Sequence, residues 1–178
     1  GKQLPASISE LDSSMAYEDG EGNIWFGALR DGLFRARKQS VTPYSKPEGL
    51  LQNNVYPIYE DKTGVIWIGT TEGLYRHRDG VFEADESLRK ENVTAIAEDP
   101  AGRLLVGEFN NLWRRENKKF VPVYKGKFST IWAIHPEPDG SIWLGTDQGL
   151  LKVKDNVANL YTTKDGLAGD DVKAILDD

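Results

Sequence analysis

The sequence predicts an all-β fold made of repeated, four-stranded antiparallel sheets. A motif recurs along the chain, as GVIWIGTTEGLYR at residues 64–76 and GSIWLGTDQGLLK at residues 140–152. Between its glycine-containing turns lie short runs of β-branched and aromatic residues, which is the composition of strands. No window has a convincing helical period, although a short turn of helix is expected within ADESLRKEN, residues 84–92.

The repeats are spaced by 42, 38 and 38 residues, measured between Gly22, Gly64, Gly102 and Gly140. Three residues after each glycine comes a large apolar residue: Trp25, Trp67, Leu105 or Trp143. Two residues further on comes a second glycine: Gly27, Gly69, Gly107 or Gly145. Four units therefore account for most of the chain. A fifth begins near the C-terminus, where Val172 lies 117 residues, or three periods, after Val55.

The second strands of the units, such as VIWIG, are apolar on both faces, so each sheet is expected to pack between two neighbours. Radial stacking of such sheets is a β-propeller. We therefore expect β-propeller blades, about four of them plus the first strand of a fifth, in an incomplete ring. The tryptophans are expected to fill the space between blades, and the second glycines to let the next sheet approach closely.

The repeat pattern predicts where each blade begins and ends. Residues 1–11 are a lead-in or the last strand of a preceding blade. The blades are expected at residues 12–54, 55–92, 93–130 and 131–171, with the first strand of a further blade at residues 172–178.

The fixed glycines are assigned to turns. In EDKTG, residues 60–64, the Asp61 carboxylate is expected to bond the backbone two residues on, with Gly64 closing a type I turn. Between the second and third strands, Gly73 is expected to have a positive φ. The third unit has Asn111 at this place, and asparagine tolerates left-handed φ better than other non-glycine residues.

Composition excludes several classes of function. The chain has 178 residues, no cysteine and a net charge of −6. An acidic domain gains nothing from counterion release at phosphates, so nucleic-acid binding is not expected. The lack of cysteine excludes disulfides and thiolate ligands. No apolar run approaches the roughly 18 residues of a membrane span, so this segment itself is expected to make no membrane contact.

No catalytic residue, metal site or cofactor is predicted. The two histidines, His77 and His135, are 58 residues apart and lie at different places within their units. His77 is expected on an exposed strand surface, and His135 after the first strand of its unit. Carboxylates of the Asp61 type are assigned to turns, and no serine or histidine has the sequence context of a nucleophilic triad.

The aligned units resemble the two-component regulator propeller repeat, V-x-x-I-x-E-D-x-x-G-x-I-W-I-G-T-x-x-G-L-x-R. The resemblance is carried by NVYPIYEDKTGVIWIGTTEGLYR at residues 54–76, with similar strings at residues 13–35 and 131–152. Residues 93–114 are a weaker copy, with Leu105 for the tryptophan, Glu108 for the threonine and Asn111 for the glycine.

The resemblance implies a sensor. Propellers of this family are typically the extracytoplasmic input region of bacterial hybrid histidine kinases, in several cases sensing carbohydrate fragments. It thus implies a periplasmic or extracellular ligand-sensing module of a two-component signalling protein, without enzymatic activity, and with an oligosaccharide as candidate ligand. Two alternatives stay open, a propeller glycoside hydrolase or lyase and a self-assembling scaffold fragment. An unclosed stack leaves apolar blade faces bare at both ends, so at least a dimer is expected.

Candidate ligand-binding residues follow from the geometry of propellers, which bind small ligands at the mouth of the central channel. That face is built from the segments leading into each first strand and from the turns between second and third strands. Tyr56 and Trp132, at the starts of first strands, are candidates for stacking on a sugar ring. The full set is Arg30, Asn53, Asn54, Tyr56, Glu72, Asn92, Phe109, Asn110, Phe128, Trp132 and Asp147.

Overall fold

The computed structural model describes residues 13–28, 30, 32–37, 40–44, 49–50, 54–126, 130–155 and 157–176. The chain divides into two compact units, Gly1–Glu91 and Asn92–Asp178. Each unit contains two four-stranded antiparallel sheets in which consecutive strands are neighbours. The only helices among these residues are two single 3₁₀ turns, Glu86–Leu88 and Thr163–Asp165, the first in the expected segment. The predicted all-β architecture of four four-stranded sheets is confirmed.

The first unit buries its core between its two sheets. The first sheet consists of β1 (Ser13–Glu18), β2 (Ile24–Ala28), β3 (Gly32–Arg37) and β4 (Ser40–Tyr44). The second sheet consists of β5 (Val55–Glu60), β6 (Ile66–Thr70), β7 (Gly73–Arg78) and β8 (Val81–Ala84). Trp25 and Leu33 of the first sheet lie in one apolar cluster with Ile66, Ile68 and Tyr75 of the second. The prediction that tryptophan fills the space between sheets is confirmed for Trp25.

The second unit repeats this arrangement. The third sheet consists of β9 (Val93–Glu98), β10 (Leu104–Glu108), β11 (Asn111–Glu116) and β12 (Lys119–Lys125). The fourth sheet consists of β13 (Ile131–Pro136), β14 (Ile142–Thr146), β15 (Gly149–Lys154) and β16 (Val157–Tyr161). Leu105 and Leu112 of the third sheet cluster with Ile142, Leu144 and Leu151 of the fourth. No strand is assigned to residues 172–176, where the first strand of a further blade is predicted.

The second strands of the second and third sheets are buried on both faces, as their composition predicts. Every residue of β6 and of β10 is buried. The glycines of β2 and β10 give room to the first strand of the neighbouring sheet in the same unit. A Cβ on Gly27 would lie 2.8 Å from Val55 Cγ1, and a Cβ on Gly107 would lie 2.8 Å from Ile131 Cγ2. The predicted role of these glycines in close sheet approach is confirmed within each unit.

The predicted turn at residues 60–64 is confirmed. The N–H of Thr63 donates to Asp61 Oδ1 (2.9 Å), and the N–H of Gly64, which has a φ of 78°, donates to the Asp61 carbonyl (2.9 Å). A further bond was not foreseen: the Trp67 indole N–H donates to Asp61 Oδ2 at 2.8 Å. Burial raises the pKa of the Asp61 carboxyl, but hydrogen bonds from Trp67, Thr63 and the backbone lower it more, so the pKa lies below its usual range.

The first repeat has the same link between its turn and its buried tryptophan. The Trp25 indole N–H donates to Asp19 Oδ2 at 2.6 Å, and Trp25 is only 2% exposed. Asp19 Oδ1 accepts the backbone N–H groups of Glu21 (3.0 Å) and Asn23 (2.8 Å). One carboxylate therefore closes the turn and satisfies the indole N–H in the core.

Replacing Asp19 by alanine is expected to lower the free energy of unfolding by about 1–3 kcal/mol, the cost of leaving a buried donor without its acceptor. Urea denaturation followed by far-UV circular dichroism measures the change. Glu21→Ala, in the same turn but exposed, is the matched control and is expected to change stability by less than about 0.5 kcal/mol. Equal effects of the two substitutions would contradict this role of Asp19.

The hairpin between β10 and β11 differs from the prediction. The residue with left-handed φ is Asn110, at 71°, and Asn111 is the first residue of β11 without a positive φ. The prediction for Asn111 is therefore wrong. Its side-chain amide instead donates to Glu108 Oε1 at 2.6 Å, which keeps Asn111 in the extended strand and leaves the left-handed position to its neighbour.

Glu108 and Asn111 together replace the threonine and glycine found in the hairpins of the second and fourth sheets. In the second sheet, the Thr70 hydroxyl donates to the carbonyl of Gly73 (2.9 Å), whose φ of 133° agrees with the prediction. In the third sheet, Glu108 is 2% exposed and accepts from Asn111 and from the Trp113 indole N–H (2.8 Å). The two departures from the repeat pattern are therefore linked, because the hydrogen bond between Asn111 and Glu108 replaces the one between Thr70 and Gly73 in the second sheet.

His77 is buried, which corrects the prediction of an exposed strand histidine. It lies on β7 two residues after buried Tyr75, hence on the same face of the sheet, and is 7% exposed. Its imidazole packs 4.6 Å from the Phe82 ring, 5.3 Å from Trp25 and 5.7 Å from Tyr44, measured between ring centroids. Burial lowers the pKa of His77, the Arg35 guanidinium lowers it further, and the Asp79 carboxylate opposes them.

This depressed pKa predicts a loss of stability in mild acid. Below about pH 6.5 the unfolded chain takes up a proton at His77 while the folded chain does not, so protonation favours unfolding. The free energy of unfolding is therefore expected to fall between pH 7 and pH 5 more steeply in the unsubstituted protein than in His77→Phe, which keeps a ring but cannot titrate. Urea denaturation at several pH values tests this, and equal slopes would contradict it.

Candidate functional site

The two kinds of segment predicted to form the binding face lie side by side in the first unit. In the first repeat, the N–H of Arg30, in the turn after β2, donates to Asn54 Oδ1, just before β5, at 3.0 Å. In the second repeat, the N–H of Lys90 donates to the carbonyl of Glu72, in the turn after β6, at 2.9 Å. Each turn between second and third strands therefore contacts the segment leading towards the next first strand.

The second unit has the same arrangement at the same place in each repeat. The N–H of Gly126 donates to the Asn110 carbonyl at 2.8 Å. The N–H of Val172 donates to the Thr146 carbonyl at 2.8 Å. We call these turns and lead-in segments the turn face of each unit. Every sheet contributes one turn and one lead-in segment to it.

The first strands begin at this face with a β-bulge. The pairing of β5 with β6 shifts between Val55 and Ile58, and the pairing of β13 with β14 shifts between Ile131 and Ala133. Tyr56 and Trp132 lie within these bulges, which turn a side chain away from the regular alternation of a strand. The bulge was not visible in the sequence, since both segments read as uninterrupted strands.

Trp132 has an unpaired polar group in the interior. Its indole Nε1 is buried without a hydrogen-bond partner among the residues that the structure describes. Its ring is covered by the ammonium of Lys173, which lies 3.9 Å from the ring centroid and 3.2 Å from Asp171 Oδ2. The predicted stacking surface of Trp132 is therefore occupied by a cation of the chain itself.

Two hydrogen-bond acceptors on the turn face also lack a partner. Asp147 Oδ1 and Asn110 Oδ1 are buried, and neither has a hydrogen-bond partner within the described part of the chain. Asp147 directly follows Thr146, which pairs with Ile131, the residue before Trp132. Asp147 and Trp132 thus lie at the same end of the β13–β14 pair. A buried polar atom without a partner is uncommon in folded proteins and calls for an explanation, such as a ligand or water.

The other predicted site residues are placed as follows. Asn53 and Phe128 lie outside the described residues. Phe109 is 55% exposed, and Asn92 is exposed just before β9. Of the predicted set, the structure joins Arg30 with Asn54 in the first unit, and places Trp132 and Asp147 together in the second.

Lys173 is a site residue that sequence reasoning missed. It lies 117 residues after Tyr56, so the repeat alignment already placed it at the position of Tyr56 and Trp132. This was the available signal. Its contact with the ring of Trp132 was not foreseeable, because it depends on how closely the C-terminal segment packs against β13.

A second surface of interest is the outer face of the fourth sheet. Trp143 occupies the position of Trp25 in the repeat, yet it is half-buried, with Lys152 Nζ 4.6 Å from its ring centroid and Tyr161 5.6 Å away. Tyr161 is 38% exposed. In the first unit, by contrast, the side chains of His77 and Phe82 from the next sheet cover the equivalent rings, Trp25 and Tyr44.

The first sheet does not present a comparable bare face. Phe26 and Phe34, which point away from Trp25, stack on each other at 5.1 Å and are 6% and 4% exposed. The expectation of bare apolar faces at both ends is therefore wrong for the first sheet. Within the described ranges, the fourth sheet has an apolar face, that of Trp143, which the other sheet of its unit does not cover.

No group of three or more His, Asp or Glu side chains is arranged to hold a metal ion in the part of the chain that the structure describes. His135 lies within β13, not after it, with Nε2 4.0 Å from Glu137 Oε1. Among the same residues, no helix has both the length and the apolar character needed to cross a bilayer.

Comparison with known sequences supports the resemblance of the repeats. Residues 49–72 match the sequence model of the family described as "Two component regulator propeller". The chain therefore carries a two-component regulator propeller repeat, as predicted. A comparison with curated proteins gives no match.

Solved structures share the fold over almost the whole chain. The extracellular domain of a protein assigned to a one-component system, BT4673 of B. thetaiotaomicron, matches with a TM-score of 0.83 at 22% identity over 99% of this chain and 26% of that chain. The extracellular domain of a protein assigned to a hybrid two-component system, BT3049 of the same bacterium, matches with a TM-score of 0.71 at 24% identity over 90% of this chain and 24% of that chain.

A more distant match is virginiamycin B lyase from Staphylococcus aureus, with a TM-score of 0.68 at 13% identity over 85% of this chain and 56% of that chain. These likenesses confirm the predicted propeller architecture. The chain spans about a quarter of the length of the two sensor-type domains that it matches.

Proposed function

We propose that this domain is the ligand-sensing β-propeller module of a bacterial two-component signalling protein, that it works in the periplasm or extracellular space, and that it recognises a carbohydrate. The two-component regulator propeller repeat at residues 49–72 supports the signalling role. The shared fold of the two extracellular domains supports a location outside the cytoplasm.

The observation that carries carbohydrate recognition is the group of unpaired polar atoms on the turn face of the second unit. Trp132 Nε1 is a donor, whereas Asp147 Oδ1 and Asn110 Oδ1 are acceptors, and all three are buried. A buried polar group without a partner costs about 1–3 kcal/mol, which a ligand recovers when it supplies the bond. A sugar hydroxyl both donates and accepts, so one class of ligand matches both kinds of group.

The proposed mechanism is a shift between two arrangements of neighbouring domains, driven by ligand that binds one arrangement more tightly. The turn face is made of hairpin turns and lead-in segments that backbone hydrogen bonds hold to one another. It is therefore suited to present fixed groups to a ligand, and the conformational change is assigned to the connections between domains.

The test is a thermal-shift screen of the protein against neutral, acidic and amino oligosaccharides, followed by isothermal titration calorimetry of each hit. A saccharide that raises the melting temperature and is recovered unchanged by chromatography is the expected result. Release of product would favour the glycoside hydrolase or lyase instead. Absence of binding to every saccharide would contradict carbohydrate sensing.

Self-association through the outer face of the fourth sheet is a second proposal. Trp143, Lys152 and Tyr161 repeat the arrangement of Trp25, Arg35 and Tyr44, which a neighbouring sheet covers in the first unit. A second copy of the chain is the partner available to the purified protein, and we propose that it covers this apolar face.

Sedimentation velocity at increasing concentration is expected to show a dimer or larger species. Tyr161→Lys, on the exposed face, is expected to weaken the association. Leu160→Lys is the matched control, because Leu160 is 39% exposed, against 38% for Tyr161, but pairs with buried Leu151 on the opposite face. A monomer at all concentrations, or equal effects of the two substitutions, would contradict the proposal.

A further inference from the structure

The residues that the repeat alignment places at the bulge position are linked in a row in the second unit. Thr94, Trp132 and Lys173 occupy this position in three consecutive repeats. The Thr94 hydroxyl donates to the carbonyl of Ile131, next to Trp132, at 2.7 Å. The Lys173 ammonium lies 3.9 Å from the Trp132 ring centroid. The row therefore runs along the turn face from the third sheet through the fourth sheet to the C-terminal segment, and Asp147 lies at the same end of the β13–β14 pair as Trp132.

We propose that Trp132, Asp147 and Lys173 form a subsite for an uncharged saccharide, read at the edge of the indole ring and not by stacking on its face. This inference rests on the proposed function and names the site and the ligand class. It departs from the sequence-based expectation, in which the face of Trp132 stacks on a sugar.

The contacts of Trp132 favour recognition at the ring edge. One face of the ring is taken by the Lys173 ammonium, which Asp171 holds in place at 3.2 Å. The indole N–H at the edge has no partner among the described residues. A ligand that reaches the indole N–H at the edge gains a hydrogen bond there, whereas stacking on the covered face would have to break the contact between cation and ring.

The charges of the subsite favour a neutral ligand. Asp147 and Asp171 are carboxylates and Lys173 is a single ammonium, so an anionic sugar would face net negative charge. An ammonium group on the ligand is a donor only, so it cannot accept the hydrogen bond of the Trp132 indole N–H. A pair of adjacent hydroxyl groups satisfies the site without a net charge, because one hydroxyl donates to Asp147 Oδ1 while the other accepts from Trp132 Nε1.

The same geometry gives Lys173 a part in binding. Its ammonium has three donors, of which one is used by Asp171 and one points towards the ring. The third is available to a ligand hydroxyl bound at the edge of Trp132. Removing the ammonium is therefore expected to weaken binding, whereas it would leave binding unchanged or strengthen it if sugars stacked on the ring face.

Calorimetry with the neutral oligosaccharide that binds most tightly tests the subsite in four variants of the whole chain. Trp132→Phe keeps the ring but removes the N–H, and is expected to weaken binding about 3- to 10-fold. Asp147→Asn removes a charged acceptor and is expected to weaken binding about 10- to 100-fold. Lys173→Met is expected to weaken it up to about 10-fold. Tyr17→Phe, which also removes one hydrogen-bond donor from an aromatic side chain but lies on the first sheet, is the matched control and is expected to bind normally.

A second measurement reports directly on the indole N–H. In a ¹H–¹⁵N spectrum the Trp132 indole signal, identified by its loss in Trp132→Phe, is expected to shift on saturation with the saccharide more than the signals of the other four tryptophans. This readout uses the unsubstituted protein, so it does not depend on the folding of a variant. Unchanged melting temperatures in the absence of ligand show that the variants fold.

The outcomes separate this inference from the proposed function. Saccharide binding that is unaffected by Trp132→Phe and Asp147→Asn, with no shift of the Trp132 signal, overturns the subsite and leaves carbohydrate sensing intact. Preference for acidic or amino sugars over neutral ones overturns the ligand class. Tighter binding by Lys173→Met overturns the edge geometry in favour of stacking. Failure of every saccharide to bind overturns both.

Discussion

Replacing Trp25 by alanine is expected to lower the free energy of unfolding by about 3–5 kcal/mol, the range for removing a large aromatic side chain from a core. Trp25 is 2% exposed and lies in the cluster that joins the two sheets of the first unit. Its ring contacts Tyr44 at 5.7 Å and His77 at 5.3 Å, and its N–H is bonded to Asp19. The substitution therefore leaves a cavity between sheets and an unused turn carboxylate.

Trp143→Ala is the matched control, because Trp143 has the same place in the repeat but is half-buried. Its loss is expected to cost about 1–2 kcal/mol, since less surface leaves water on folding. Urea denaturation followed by far-UV circular dichroism compares the two variants at a protein concentration at which the chain is monomeric. Equal costs would show that Trp25 does not hold the two sheets together.

Gly107→Ala is expected to destabilise the protein by about 1–3 kcal/mol or more, through overpacking and not through the loss of a contact. The added Cβ would lie 2.8 Å from Ile131 Cγ2, 3.1 Å from Ile131 Cβ and 3.3 Å from Ala95 Cβ. Ile131 is 2% exposed and lies in the core cluster of the second unit, so it has little room to retreat. The two sheets of that unit must therefore separate.

Gly20→Ala is the control, because a Cβ at Gly20 meets only the flexible end of Glu60, at 3.7 Å. A double substitution tests whether the clash with Ile131 causes the loss of stability. In Ile131→Ala, the methyl group that would clash is absent, so adding Gly107→Ala is expected to cost less than it does in the unsubstituted protein. Additive effects of Gly107→Ala and Ile131→Ala would contradict close sheet approach as the function of this glycine.

Predictions from the sequence succeeded where the physical cause is local. The Asp61 turn depends on hydrogen bonds within five residues, and Gly73 on the φ of one residue, so both were readable from the string. The burial of β6 on both faces followed from its composition. The repeat then extended each of these local features along the chain.

The failures share a different cause. The pattern assigned the left-handed position to Asn111, but a hydrogen bond from its side chain to Glu108 moved that position to Asn110. The sequence predicts an exposed His77, but its face of β7 packs on the rings of Trp25 and Tyr44. In each case the competing partner lies on a different strand, and single-strand patterns do not contain it.

Amino-acid order was thus sufficient for the number of repeats, their strands and their turns, because neighbours along the chain impose those features through backbone angles and alternation of side chains. Three features are decided only when the sheets pack. Lys173 lies on the ring of Trp132. Asp147 and Asn110 each have a buried oxygen without a partner among the described residues, and Trp25 is covered whereas Trp143 is not. These features depend on the distances between sheets. A repeat can suggest those distances, but the close packing of particular side chains determines them.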